Sequence, residues 1–332
     1  MNLSKAKGKQ RRSSSRLNRP QPRLTFGAAV AALSLFAACG LGSDAGTAAA
    51  LGDCPTGGEP EALGRIEDGR ITECSGLAWS RTQPILWLHN DSGDRARFYG
   101  VSADGRLLAV VSLSGAQARD WEDMARGPHP DGGDALFLAD IGDNARSRSF
   151  VRIYRVREPT VEITDDPGTA PVDISIDTYD TFDLTYPDGP HNAETFLVDP
   201  ATGDVYIVTK EASGVSTVFY AAEPAHGDRL ELIPVATLRI GWQTLPGSGL
   251  ITAGDVAPDG SEVIIRTYDR VLVYRRPPNS PLSASFATEP CRVPLGPELQ
   301  GEAVAFLPDG RGYVTVSEGR QPVIYLTQYT EP

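Results

Sequence analysis

From about residue 60 onward the chain alternates short apolar runs with polar turns, and no segment carries an apolar stripe at the 3.6-residue period of an amphipathic helix. The runs recur as a unit. Each unit ends in an apolar strand with a central tyrosine: Arg97-Phe98-Tyr99-Gly100-Val101, Arg152-Ile153-Tyr154-Arg155-Val156, Val218-Phe219-Tyr220-Ala221-Ala222, Leu272-Val273-Tyr274-Arg275-Arg276 and Val323-Ile324-Tyr325-Leu326-Thr327. These tyrosines stand 55, 66, 54 and 51 residues apart. Upstream of each lies a second apolar run (Ile85 to Leu88, Ala135 to Ala139, Val205 to Val208, Val263 to Ile265, Gly312 to Val316). Upstream again comes a third, beginning at Ser75, Glu122, Glu194, Gly254 and Glu302. Turns such as Pro258-Asp259-Gly260 and Pro308-Asp309-Gly310 join these two runs.

A four-stranded sheet repeated roughly every 50 residues predicts an all-β chain folded as a β-propeller. Five units predict five blades, with six as the alternative. The last unit stops soon after its third strand, so an outer strand is missing there. Ala62 to Ile66 precedes the first unit and can supply it, closing the ring. That closure brings Cys54 near the outer strand of the fourth blade, where Cys291 lies. Of the three cysteines after position 39, it favours Cys54 with Cys291 as the disulfide and leaves Cys74 as a buried thiol, although sequence does not fix the pairing.

The N-terminus reads differently. Every charged residue in 1–38 is basic, and Leu24 to Ala38 is apolar, the layout of a signal peptide. It ends Leu35-Phe36-Ala37-Ala38-Cys39-Gly40, which resembles a bacterial lipobox with Phe36 where an aliphatic residue is usual. Cys39 is therefore the expected lipidation site, residues 39–53 a flexible tether and 54–332 a single propeller domain. The expected location is extracytoplasmic, on the cell membrane through the lipid anchor alone, with secretion as the alternative.

The 332 residues carry 31 Lys plus Arg against 43 Asp plus Glu, a net charge of −12. Without the leader, which holds eight of the basic residues, the charge is −20. Nucleic acid is thereby disfavoured as a partner, and a monomer is expected. The acids are not evenly spread. In a propeller the inner strands begin, and the second strands end, on one face around the central channel. Inner-strand starts supply Glu73 and Ser75, Asp120 and Glu122, Asn192 and Glu194, Thr252 and Gly254, Gln300 and Glu302. Second-strand ends supply His89-Asn90-Asp91, Asp140 to Asn144, Thr209-Lys210-Glu211, Arg266 to Asp269 and Ser317-Glu318-Gly319.

Crowded carboxylates raise one another's pKa unless a cation compensates. Calcium takes six to eight oxygen ligands, which makes Glu73, Asp91, Glu122, Asp140, Asp143, Glu194 and Glu302 candidate ligands for Ca2+. The competing expectation is a hydrated, acid-lined funnel. Lys210 is the only lysine after the leader and falls beside this ring, with Arg266 at the equivalent point of the next blade. Either can hold an anionic group or neutralise the ring. His89 is a candidate general base, and the carboxylate of Asp120 or Glu122 is the other candidate for the base that takes a proton from water. No nucleophile elbow, HExxH, P-loop or dinucleotide fingerprint is present.

Ser75-Gly76-Leu77, His89 to Gly93, Asp120-Trp121-Glu122-Asp123, Asp140 to Asn144, Thr209-Lys210 and Arg266-Thr267-Tyr268 carry a family resemblance. From about Gly64 to Thr327 the chain resembles a group of uncharacterised bacterial exported or lipoprotein β-propellers. More distantly it is similar to calcium-dependent propeller hydrolases, namely gluconolactonase and paraoxonase-like lactonases and the propeller phytases. The resemblance implies a metal-dependent hydrolase of a small ester, lactone or phosphoester. The shortage of lysines departs from the phytases, since a polyphosphate site needs several cations. The alternative expectation is a non-catalytic propeller that binds an envelope protein or glycan.

Overall fold

In the computed structural model, residues 54–164, 166, 168–240, 247–298 and 300–330 are described, so the signal, the Cys39 lipidation site and the tether lie outside the described residues. Twenty-three strands form five sheets arranged as a five-bladed β-propeller, and a 3-10 turn at Leu282–Ala287 is the one helical element among the described residues. No helix there is long and apolar enough to cross a membrane.

Each blade is an antiparallel meander whose inner strand faces the channel. Blade 1 comprises Cys74–Trp79, Leu86–Asn90, Arg97–Val101 and Leu107–Leu113; blade 2 comprises Trp121–Pro128, Asp134–Asp140, Val151–Arg157 and Asp180–Thr185. Blade 3 runs Ala193–Val198, Val205–Thr209, Val215–Ala221 and Ile233–Arg239, and blade 4 Ile251–Val256, Glu262–Thr267, Val271–Arg275 and Cys291–Val293. Blade 5 has Gly301–Phe306, Gly312–Ser317 and Val323–Thr330. Its outer position is filled from the other end of the chain by Glu61–Arg65, with Thr56–Gly57 continuing along the same edge. The last-made strand thus hydrogen-bonds to the first, which removes the open edge that a linear array of blades would leave.

The inner strands alternate with polar turns because their hairpins need an abrupt reversal. In blades 4 and 5, Gly260 and Gly310 take φ of +74° and +72°, and Asp259 and Asp309 accept hydrogen bonds from the backbone N–H groups of Ser261 and Arg311 at 2.9 Å. Five apolar cores lie between successive blades. The one that closes the ring packs Leu77, Leu88 and Tyr99 of blade 1 against Ala305, Val314 and Ile324 of blade 5. Each such side chain contributes about 1.5–3 kcal/mol when buried.

Two strands were not legible as part of the repeat. Val172–Ile176 runs back to pair parallel with the outer strand of blade 1, and Arg229–Glu231 likewise pairs parallel with that of blade 2. Each leaves its own stretch of chain to clasp the preceding blade. Cys54 and Cys291 are joined by a disulfide across 237 residues of sequence, linking the N-terminal segment to the outer strand of blade 4. Cys74 is a free, buried thiol, and burial pushes its pKa up to about 12, so it stays protonated and inert.

Candidate functional site at the channel mouth

Every inner strand carries a register break at the same height: between Cys74 and Leu77, Trp121 and Asp123, Ala193 and Thr195, Ile251 and Ala253, and Gly301 and Ala303. A bulge re-aims the residue inside it. The side chains so re-aimed are those of Ser75, which shares its bulge with Gly76, and of Glu122, Glu194, Thr252 and Glu302, all buried. In blade 4 the expectation from sequence is two residues out of step, for Thr252 and not Gly254 occupies the equivalent position.

The five bulge residues divide by chemistry. The hydroxyls turn sideways: Ser75 Oγ donates to the Glu122 carbonyl, and Thr252 Oγ1 donates to the Gly301 carbonyl at 2.8 Å, each stitching its blade to the next. Glu122, Glu194 and Glu302 keep carboxylates at the channel. Above them, the backbone N–H groups of Asp91, Gly142, Lys210 and Glu318 donate to the carbonyls of Glu73, Asp120, Asn192 and Gln300 at 2.8 to 3.1 Å, which fixes these residues as a rim. Tyr268 follows its strand as Lys210 follows the strand before it.

The tightest cluster is Asp91, Asp120 and Glu122, one oxygen of each lying within 4.8 Å of the other two. Blade 2 makes room for it, since a Cβ at Gly142 would collide with the Glu122 and Asp120 carboxylates. Asp91 and Asp120 are half-buried, whereas Glu122 is 2% exposed. Beside it, Asn90 ties the rim of blade 1 together: its amide oxygen accepts from Thr72 and Glu73 N–H at 3.1 Å, and its amide nitrogen donates to Asp94 at 2.8 Å.

In blade 3, next to the trio, Lys210 Nζ is ion-paired with Glu194 and donates to Tyr268 Oη at 2.8 Å. Gln300 donates to Glu318 and, at 3.5 Å, to Glu302. Burial pushes these carboxyls upward, with neighbouring acids adding to it and Lys210 pulling Glu194 and Glu302 part of the way back: Asp120 to about 6, Glu194 to about 7 and Glu302 to about 8. Glu122 is also raised well above its ordinary value, by burial first and then by Glu194, Asp91 and Asp120. For Lys210, burial acts downward but the Glu194 carboxylate outweighs it and holds the ammonium charged.

The remaining candidates from sequence go elsewhere. Asp140 is ion-paired with Arg148 at 2.7 Å and accepts the N–H groups of Arg119 and Asp120, while Asp143 accepts those of Ser147 and Arg148 at 2.7 Å. Their oxygens are engaged in holding a loop. Glu73 lies exposed at the rim near Glu318. Arg266 is fully enclosed; Nη2 stands 3.1 Å from Glu298 Oε2, and Nη1 donates to the Ala303 carbonyl at 3.0 Å. It clamps blade 4 to blade 5 and presents no surface to a ligand. His89 is equally enclosed, with both ring nitrogens facing carbonyls, of Asn90 at 2.9 Å and Asp123 at 3.1 Å. Burial lowers its pKa, and it has no path to a substrate proton.

Sequence reasoning quoted Tyr268 and Asp123 within motifs but gave neither a role. Tyr268 had a signal, the shared offset after the second strand. Asp123 sits one residue below Glu122 with its carboxylate across the channel, accepting N–H groups from Met124 at 2.8 Å, Phe196 of blade 3 at 2.9 Å and Gly254 of blade 4 at 3.3 Å. Apart from the channel, a groove of about 760 Å³ runs outside blades 1 and 2, lined by Val161, Val172, Ile174, Ile176, Tyr179 and Arg157 among others.

No protein-family model matches the chain, and no curated protein does. Among solved structures, that of luciferin-regenerating enzyme is similar at a TM-score of 0.43 and 10% identity, over 81% of this chain and 95% of that one. The class defined by the coordinates is the five-bladed β-propeller with an acid-lined channel mouth. At that level of likeness the neighbour bears on none of the residues at the mouth.

Proposed function

We propose that the mature protein is an extracytoplasmic propeller, tethered through lipidated Cys39, whose channel mouth hydrolyses a small ester, lactone or phosphoester with the support of a divalent cation. The observation that carries this reading is the convergence of Asp91, Asp120 and Glu122 within 4.8 Å, with Gly142 clearing space beside them. The donor set fits a hard cation: all ligands are oxygens, two of the three groups are reached from solvent, and calcium completes its shell with water. A cation held there polarises a carbonyl or phosphoryl oxygen and acidifies water. Around it the chain supplies orientation and proton handling. Glu194, poised near neutrality beside Lys210, is the group placed to accept a proton from water, and Lys210 steadies the charge that remains. Tyr268, whose oxygen accepts from Lys210, keeps its O–H for a second acceptor in the channel.

The second reading, a non-catalytic propeller for an envelope protein or glycan, is favoured by the groove outside blades 1 and 2 and by Val172 on its edge strand, which is 43% exposed. Elemental analysis of the purified protein, melting curves with calcium and with chelator, and an ester, lactone and phosphoester panel separate the two. Hydrolysis requires chelator to lower the melting temperature and Glu122→Gln to abolish turnover. An unchanged melting curve in both conditions removes the metal from the proposal.

A further inference from the structure

Blade 1 is widened by Val172–Ile176, which pairs parallel with Leu107–Leu113 along one side and, among the described residues, with no strand along the other. The clasp carries the open edge of the sheet outward without closing it. The Ile176 carbonyl accepts from Ser114 N–H at 2.9 Å, so the backbone groups of Val172 and Ile174 turn inward as well, and those of Asp173 and Ser175 face away from the blade. Such a row is a template for another strand. Other outer strands offer less: Arg229–Glu231 is three residues long, and Ile233–Arg239 contains Pro234, which donates nothing.

A cavity lies under the same strand. Val172, Ile174 and Ile176 share one face and line the groove of about 760 Å³ together with Val161 and Tyr179, and Val172 is 43% exposed. Opposed residues of paired strands share a face, so a strand laid along Asp173 and Ser175 places every second side chain over this groove and the others beside Asp173. In docking of this kind the open main-chain groups supply affinity and the cavity under alternate side chains supplies selection.

Charge narrows the occupant. The two guanidiniums of the groove are taken, Arg155 by Asp180 at 2.7 Å and Arg157 by Asp131 at 3.3 Å, and Glu158 accepts from Trp87 Nε1 at 2.8 Å. Glu162, Asp173 and Asp177 are exposed around the edge. Near them, Arg106 donates to the carbonyls of Thr164 at 3.0 Å and Asp166 at 3.5 Å, and Arg70, in the field of Asp173, is ion-paired with Asp68 at 2.8 Å. The balance around the edge is negative, which favours a cationic partner. Two copies of the chain pairing edge to edge would bring these acids together. Residues 39–53 hold Asp44 and Asp53 and no Lys or Arg, so the chain's own tether does not suit the edge either.

We infer that this edge and groove dock an extended segment of a partner protein in which apolar residues alternate with Lys or Arg, added as a sixth strand to the sheet of blade 1. The inference rests on the binding reading of the groove and is independent of what the channel mouth turns over.

The test uses the full chain and four probes: the end-blocked peptide Lys-Val-Lys-Ile-Lys-Val, its counterpart with Glu for Lys, the basic peptide N-methylated at alternate residues in either register, and chitotetraose. Calorimetry reads affinity and hydrogen exchange reads the site. The basic peptide is expected to bind and to slow exchange at the Asp173 and Ser175 amides, and the acidic one to show no binding. N-methylation and Ser175→Pro, which removes an N–H facing solvent, should each weaken binding about tenfold or more. Asp173→Asn with Asp177→Asn should weaken it about tenfold, while Glu289→Gln on blade 4 should leave it unchanged. If Ser175→Pro does not fold, the N-methylated peptides decide alone. Binding that survives the loss of those N–H groups is attraction to an acidic surface and overturns the inference, as does equal binding of the acidic peptide or no binding of the basic one. Chitotetraose held in the groove in place of the peptide overturns it too, yet keeps the binding reading. That reading falls with the inference only if no probe binds there.

Discussion

Glu122 and Asp123 are neighbours in sequence, are equally buried, and both have carboxyl pKa values pushed up by that burial. They differ in what surrounds the oxygens. Asp123 accepts three backbone N–H groups from three different blades, and Asp255 repeats the device between blades 4 and 5 with Val256 and Phe306 at 2.8 Å. Glu122 accepts none among the described residues. The waist of the channel is therefore a completed structure and the mouth an incomplete one. A buried acid with its donors supplied holds the ring together, and one without them awaits a ligand.

The largest expected effect tests the waist. Asp123→Ala strands the N–H groups of Phe196, Met124 and Gly254, and should cost about 3–5 kcal/mol in denaturant unfolding. Glu122→Ala should cost far less, and equal losses for the two would erase the distinction between waist and mouth. The next effect tests the mouth. Calcium at about 100 times its Kd should stabilise the protein by about 2.7 kcal/mol. Glu122→Gln should abolish that gain, while Asp255→Asn should retain it in whatever fraction folds. Calcium stabilisation that survives Glu122→Gln would move the cation away from the trio.

The contrast between waist and mouth was only half legible in the sequence. Blade number and ring closure could be read because hairpins are local: each tyrosine strand lies within one turn of its partner, and Glu61–Arg65 fills the one position the count left vacant. The clasping strands Val172–Ile176 and Arg229–Glu231 could not: although Val172-Asp173-Ile174-Ser175-Ile176 alternates apolar and polar residues, their parallel pairing is non-local and falls outside the repeated unit. The acids at the mouth were visible by position. Their states were not: Arg266, expected where Lys210 stands in the repeat, lies two residues earlier, at the point of Val208, and is sealed behind Gly301, where a Cβ would collide with its guanidinium, while Tyr268 takes the position equivalent to Lys210. Blade 4 is read two residues out of step because its bulge residue is Thr252, a hydroxyl, while its one inner-strand acid, Asp255, lies below the bulge.

A smaller effect separates charge from shape at the mouth. Without metal, Glu122→Gln replaces an acid that lacks donors by a neutral isostere, and should stabilise the protein by about 0.5–1 kcal/mol at alkaline pH, where the wild-type carboxyl is forced to ionise. At mildly acid pH, where that carboxyl already holds its proton, the gain should vanish. Denaturation curves at the two values decide it. A glutamine variant less stable than wild type at alkaline pH would mean that Glu122 has a structural partner after all.

The last effect is the pH dependence of the metal-free protein, and its sign is opposite to that of an ordinary salt-bridged surface. Glu194 and Glu302 are raised to about 7 and about 8, so between the ordinary carboxyl range and those values the folded chain holds protons that the unfolded chain has released. Stability then falls as pH rises through that window. His89, lowered by burial, works the other way, but its unfolded form is already mostly neutral above its ordinary value of 6.5, so the carboxyls alone set the slope from there to about 8. Calcium should flatten or invert the slope, because it holds the ionised form of the trio and discharges part of the field at Glu194 and Glu302. Melting temperatures from pH 6.5 to about 8, with calcium and with chelator, should therefore diverge as pH rises. Parallel curves would place the ionising acids out of reach of the cation, and the mouth would be two unconnected sites.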